Sequence, residues 1–314
     1  MKHATKNVSF AAGLVAAALL LVALPQWASS YGVIFTTNIL MYVIVTLSWV
    51  IFSGPTGYIS LATSAFFGIG VYTAAVLSED LPLPLMILIG GCISFCLAFL
   101  VGAITLRLRG MYFTMFTFAL VQLINNFVHW YEVNITGTLG RVVASLESDT
   151  IYYAILVIFC LVVLVSYLIR RSRFGLALRS IGESEEAAAH AGVNVTLVKV
   201  AAFAIGAFFM GAVGAVMTMR WTYIDPPTAF DIRLSFMPLL MAIFGGMGQL
   251  YSPIIGSAIF AILEEVLTTK FPYYYMLLFG GAMLLVILFM PHGIEGVIRK
   301  LGTARKRERV PGKT

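Results

Sequence analysis

Apolar runs of near-bilayer length recur along the whole chain, separated by short polar breaks. A helix needs about twenty apolar residues to cross a bilayer, and on that measure the pattern predicts spans at 10–26, 34–52, 59–77, 83–106, 111–128, 151–169, 200–219, 234–247, 254–269 and 274–290. The fold class expected is all-α, a polytopic transmembrane helical bundle of about ten spans with broken helices. A single membrane domain would cover 1–298, followed by a basic tail at 299–314. No stretch between spans is long enough for a separate soluble core. Composition agrees, because 60% of residues are hydrophobic and only 11% charged, whereas soluble domains run at about 45–50% and about 25%.

Charge then orients the bundle. With a cytoplasmic N-terminus, every Lys and Arg except Arg141, Arg220, Arg233 and Lys270 falls on an inside segment. The positive-inside rule therefore places both termini in the cytoplasm. The net charge of +6 sits in clusters flanking apolar runs, which argues for membrane orientation and against nucleic acid. Lys2 and Lys6 before an apolar core, with Ala28-Ser29-Ser30 beyond, imitate a secretory leader. Removing it would leave an odd number of spans and strand basic segments outside, so 10–26 is expected to be a true helix. Cys92 and Cys96 lie one turn apart in one apolar run and Cys160 in another, a pattern of small packing residues without a pairing framework.

Two regions break the helical pattern at membrane depth. Gly54-Pro55-Thr56-Gly57 precedes Ser60, Thr63 and Ser64, and Gly245-Gly246-Met247-Gly248-Gln249 precedes Ser252-Pro253. Irregular backbone is tolerated there only if it is buried in protein or lines a wet cavity. Broken segments thus point to a transport path, although the second could equally be a glycine-packed turn at the cytoplasmic surface. Ala207, Gly211 and Ala215, with Gly206 and Gly214 beside them, are small residues that let helices approach closely.

The most distinctive stretch is a polar island at 170–198. Ser184 can cap a short helix of about seven residues, roughly 10 Å long, with Glu185 and Glu186 in its first turn, Ala187 to Ala189 next, His190 at its end and Gly192 just beyond. A hydroxyl for free amides, acids at the positive end of the dipole and glycine where the chain turns away all agree. So short a helix is marginal alone in water, which predicts a docking element held by a partner or by the membrane face. Arg170, Arg171 and Arg173 also serve as orientation signals, while Arg179 and Glu183 suit a protein interface. His190 reads as a dipole partner rather than a metal ligand.

These residues carry a resemblance. Ser172-Arg173-Phe174-Gly175 with Ala177-Leu178-Arg179, Glu183, Glu185, Glu186, Ala187-Ala188 and Gly192-Val193-Asn194 resembles the coupling loop of M-type permeases in branched-chain amino-acid ABC importers. Gly57-Tyr58-Ile59-Ser60-Leu61 with Phe66-Phe67-Gly68-Ile69-Gly70, and Leu106-Arg107-Leu108-Arg109-Gly110-Met111, are similar to motifs of the same family. So are Gly245-Gly246-Met247-Gly248 with Pro253-Ile254-Ile255-Gly256, and Leu288-Phe289-Met290-Pro291-His292-Gly293. The resemblance implies an ATP-driven importer in a bacterial cytoplasmic membrane, with this chain as one permease half. Its partners would be a second, paralogous permease, two ATPase subunits and a periplasmic or extracellular substrate-binding protein. ATP would bind to the partner subunits and no cofactor to this chain. Coupling would run through Arg173, Gly175, Arg179, Glu183, Glu185, Glu186, Ala187 and Gly192. The chain departs from the family at Ala62-Thr63 and at Thr136-Gly137-Thr138, where polar groups could meet a solute. The cargo implied is a branched-chain amino acid or a related small polar solute.

Ser60, Thr63 and Ser64 follow a helix break, where a half-helix N-terminus could face a carboxylate, or they bond back to helices. Gln122, Asn125 and Asn126 form one polar stripe that suits a path or an interhelical contact. Glu264 and Glu265 are acids near a span interior, a functional position by default, or they reach the outer surface near Lys270. No enzyme signature is present. Pro311-Gly312-Lys313-Thr314 imitates a phosphate loop, but Arg307 stands where its first glycine belongs. The rival class is an ATP-independent secondary transporter or channel, whose inverted repeats and intramembrane ion ligands are not evident.

Overall fold

The computed structural model describes residues 21–274 except 109, together with 277, 280 and 281. The expected span at 274–290, the tail at 299–314 and most of the span at 10–26 lie outside the described residues; 21–27 are helical. Eleven helices follow in order: α1 (Ser30–Thr56), α2 (Thr63–Leu77), α3 (Leu83–Thr105), α4 (Met111–Tyr131), α5 (Ser148–Arg171), α6 (Arg173–Glu183), α7 (Glu185–His190), α8 (Val195–Thr218), α9 (Pro226–Ala229), α10 (Arg233–Gly245) and α11 (Tyr251–Lys270). A π-helical turn, Glu132–Thr136, extends α4. The strands β1 (Arg141–Val142) and β2 (Tyr223–Ile224) pair antiparallel, with Arg141 opposite Ile224. Among the described residues, seven helical segments are long and apolar enough to cross a membrane.

The elements alternate between two ends of the bundle. Lys199 at the start of α8 donates to the Leu106 carbonyl at the end of α3, and Arg170 donates to the Gly248 carbonyl after α10. These contacts gather the chain near 57, 106–111, 171–195 and 246–250 at one end, which carries the basic island. At the opposite end β1 meets β2, Tyr31 donates to Glu265, and Arg220 donates to Asn38.

Helices α1 and α8 form the centre, and α8 is the more enclosed, with 83% of its apolar window buried. Hydrocarbon offers no hydrophobic drive between helices, so close van der Waals approach has to supply the cohesion. The small-residue stripe of α8 provides it. A Cβ at Gly70 of α2 would lie 1.9 Å from the Gly211 carbonyl oxygen, so these two backbones touch. Ser94 of α3 donates to the Phe66 carbonyl at 3.0 Å, fixing the third helix at the same crossing. Outward faces carry the apolar residues, including Leu100, Ile104, Leu123 and Val157, and also the three free cysteines. The cysteines are therefore not the buried packing residues that their apolar runs suggested.

The first helix break differs from its expected position. Pro55 is accommodated in the last turn of α1, which runs to Thr56 and ends on Gly57 at φ 72°. The non-helical segment is 57–62, and α2 begins only at Thr63, not at 59. Its 15 residues reach about 22 Å at about 1.5 Å each, short of the roughly 30 Å hydrocarbon core. The second region is a turn at 246–250 between α10 and α11, with Gly246 at φ 95°.

Valine at Gly70 would drive side-chain atoms into the α8 backbone, at a cost of about 1–3 kcal/mol or more for overpacking. Thermal melting of the purified protein should show a clear loss for Gly70→Val. Ile104→Ala, at a side chain 73% exposed on the outer face, should stay within about 0.5 kcal/mol of the parent.

Candidate functional site

The polar island folds as expected from its caps and adds a longer helix before the short one. Ser172 ends α5 and caps α6, its hydroxyl accepting from the Gly175 amide at 3.2 Å. Gly175, Leu178 and Ile181 are the buried residues of α6 and recur at every third position. That spacing gives one inward stripe and leaves Arg173, Leu176, Arg179 and Glu183 exposed. A Cβ at Gly182 would lie 2.1 Å from the Pro55 carbonyl oxygen, so α6 rests directly on the end of α1.

Ser184 closes α6 and caps α7. Its amide donates to the Ser180 carbonyl at 3.0 Å, and its hydroxyl accepts from the Ala187 amide at 3.3 Å. Glu185 and Glu186 occupy the first turn and His190 the last. Gly192 leaves the helix at φ 83°, the left-handed region, and the Val193 amide returns to the Ala188 carbonyl at 3.1 Å. Asn194 then caps α8 by accepting from the Leu197 amide at 3.1 Å. With six residues, α7 gains little stability by itself. Ala188, 2% exposed, packs it onto the bundle, while Glu186, Ala187, Ala189 and His190 face outward.

Glu185 does not share that outward face. Its carboxylate accepts from Lys199 Nζ at 2.8 Å and from Tyr58 Oη at 2.6 Å. Lys199 is 2% exposed and also donates to the Leu106 carbonyl at 2.9 Å, with Nζ 4.6 Å from the centre of the Tyr58 ring. A buried ammonium keeps its charge only where a partner and acceptors replace water. Removing one partner of such a pair typically costs about 3–5 kcal/mol. This cluster joins α7, α8, the end of α3 and the segment 57–62 at one point.

The segment 57–62 is held from every side. Trp49 of α1 donates to the Ser60 carbonyl at 2.8 Å, Thr117 of α4 accepts from the Leu61 amide at 3.0 Å, and Thr114 donates to the Ile59 carbonyl at 2.9 Å. Ser235 of α10 accepts from the Ser64 amide at 3.3 Å. Side chains thus take the place of water for backbone groups that a helix would have paired internally.

The residues marked for a solute path fall in three places. Ser60, Thr63 and Ser64 are 4%, 1% and 0% exposed, packed behind the break. The Thr63 and Ser64 hydroxyls, and that of Ser53 across a void of about 10 Å³, have no hydrogen-bond partner among the described residues. Gln122 and Asn126 lie on the exposed face of α4, with Asn125 half-buried beside them. Glu264 sits half-buried on α11 beside Tyr42 and Arg233, and Glu265 accepts from Tyr31 at 3.0 Å. The structure does not bring these three groups together. On the side of the island, a cavity of about 500 Å³ opens between Tyr58, Met111, Thr114, Glu183 and Glu186.

Sequence reasoning counted Lys199 only as an orienting charge and gave Tyr58 no role of its own. The available signal was Lys199 set four residues inside an apolar helix, between Val198 and Val200, where an uncompensated charge is too costly to be incidental. Thr117 and Ser235 carry no such signal, because single hydroxyls are common in membrane helices.

The sequence profile of the family described as branched-chain amino acid transport system, permease component, matches residues 31–288. The high-affinity branched-chain amino acid transport system permease protein LivM of Salmonella typhimurium is 27% identical over 326 residues, covering 91% of this chain and 75% of the relative. LivM of Escherichia coli K12 is 28% identical over the same shares. LivH of Escherichia coli K12 is 30% identical over 142 residues, 45% of this chain and 46% of the relative. No solved structure matches the chain at a significant level.

Replacing Ser184 by alanine removes the α7 cap, a loss of about 1 kcal/mol. Hydrogen exchange should then speed up at the Ala187 amide in Ser184→Ala, while the amide of Leu178 on the packed face of α6 keeps its protection.

Proposed function

The chain belongs to the branched-chain amino-acid transport permease family, and from that premise we propose how it works as the membrane-spanning subunit of an ATP-binding cassette importer. Two separate ATPase subunits bind and hydrolyse the nucleotide, so this chain carries out no catalysis and holds no cofactor itself. A second permease, a paralogue of the LivH kind, forms the other half of the path. A periplasmic or extracellular binding protein delivers the solute. The assembly sits in a bacterial cytoplasmic membrane with ten spans in this chain, the permease domain at 1–298 and a basic tail at 299–314. Both termini and the α6–α7 island face the cytoplasm, a reading that the charge distribution supports.

The observation that carries this reading is the build of the island. A capped six-residue helix, too short to stand alone, is packed on the bundle through Ala188 and offers Glu186, Ala187 and His190 to a partner. Arg173, Arg179 and Glu183 extend the same exposed surface along α6. Gly175 and Glu185 serve the coupling from within, Gly175 by letting α6 fold back against the Ile169 carbonyl.

The solute is a branched-chain amino acid or a small polar relative. Its route runs past the break, where Ser60, Thr63 and Ser64 become wetted once 57–62 shifts. The buried hydroxyls of Thr63 and Ser64, without partners among the described residues, each cost about 1–3 kcal/mol, which favours a second arrangement that hydrates them. Gln122 and Asn125 would serve a separate stretch of the path on α4, since carboxamides do not belong against lipid. Glu264 would stand at the outer approach, beside Arg233.

Uptake of radiolabelled leucine by cells expressing the full importer tests the reading. Gly192→Pro cannot adopt φ 83° because proline holds φ near about −65°, and Glu186→Lys inverts a charge on the docking face. Each is expected to abolish uptake with normal membrane insertion, and Glu186→Lys also to weaken ATPase co-purification. Normal uptake in either variant counts against the coupling role.

A further inference from the structure

Resting on the coupling reading above, we infer that Glu185, Tyr58 and Lys199 form an internal latch that transmits motion of α7 to the helix break, and that Glu185 is a positioning residue rather than an ATPase contact. Glu185 and Glu186 are neighbours on a six-residue helix, yet they differ in exposure. Glu186 is exposed, whereas the Glu185 side chain is 17% exposed and its carboxylate holds two donors from the bundle. One donor, Tyr58, lies in the break and is two residues from Ser60. The other, Lys199, is fixed to the α3 end through the Leu106 carbonyl and to the Tyr58 ring.

The geometry leaves few alternatives for how the helix could move the gate. At 2.6 Å from Tyr58 and 2.8 Å from Lys199, the Glu185 carboxylate lies within the range of charge-assisted hydrogen bonds, which are the strong ones. The side chain of Lys199 is only 3% exposed, so water is poorly placed to substitute for the carboxylate. A displacement of α7 therefore either carries Tyr58 with it or breaks a buried ion pair. Between Tyr58 and Leu61 the backbone bonds to side chains of α1 and α4 instead of to a helix, so movement of Tyr58 breaks no helical ladder. Gly182 seated on the Pro55 carbonyl gives a second point of contact just before the break.

The test uses the complete importer, with both permeases, the ATPases and the binding protein, reconstituted in proteoliposomes. Two readouts are taken: the number of ATP molecules hydrolysed per leucine transported, and the amount of ATPase retained on purification. Tyr58→Phe keeps the ring beside Lys199 and removes the hydroxyl with its two bonds, one given to Glu185 and one accepted from Lys199 at 3.3 Å, while leaving the Glu185–Lys199 pair in place, so it is the variant least exposed to misfolding. It is expected to raise the ATP-to-solute ratio by about tenfold, the scale of one hydrogen bond to a charged group, with ATPase retention as in the parent. Glu185→Ala is expected to raise the ratio at least as far, and the double variant no further than Glu185→Ala alone, because both act through one link. An unchanged ratio in Tyr58→Phe overturns the latch. Loss of ATPase from Glu185→Ala, as from Glu186→Lys, also overturns it by making Glu185 a docking residue. Failure of the underlying reading looks different: the parent complex would retain no ATPase or would move solute without ATP.

Discussion

Backbone that leaves the helix within a membrane protein must find its hydrogen bonds in the protein, and that constraint organises this molecule. The segment 57–62 interrupts two helices and surrenders the pairing that either would have supplied. Trp49, Thr114 and Thr117 restore it from α1 and α4, and Ser235 of α10 pairs the Ser64 amide in the first turn of α2. Tyr58 extends the set to α7 through Glu185. A break satisfied in this way is tied to α1, α4 and α7 at once, so it reports their relative position.

The two ends of the bundle differ in how they are held. At the end that carries β1 and β2, Glu132 is 2% exposed and accepts from the Gly140 amide at 2.9 Å, with Arg141 Nε at 3.7 Å. Tyr223 donates to the Leu139 carbonyl at 2.6 Å beside the β1–β2 pairing. These contacts bind a loop to the helices that flank it. At the end that carries the polar island, the contacts run between an amphipathic insertion and a helix break, elements whose own helical stability is small.

Much of this was legible in the sequence because membrane helices obey a length rule. The apolar runs from 34 to 269 each correspond to a helix, and the small residues of α8 mark the tightest crossing in the bundle. The cap at Ser184 and the turn at Gly192 were readable because helix ends use few residue types for stated reasons. The break was misplaced because Pro55, although it can donate no helical bond, is held inside the last turn of α1, so it marked the neighbourhood and Gly57 the boundary. Glu185 could not be told from Glu186 by sequence: both suit the first turn of a helix, and only the tertiary placement of Lys199 and Tyr58 separates them. The cysteines misled for a related reason, since an apolar run does not say which of its faces meets lipid.

The central claim is that α7 and the break behave as one mechanical unit. Hydrogen exchange of the assembled importer, followed by mass spectrometry with and without a non-hydrolysable ATP analogue, tests it most directly. Peptides covering 57–65 and 184–192 should change protection together when nucleotide binds. A change at 184–192 with 57–65 unaltered would contradict the account.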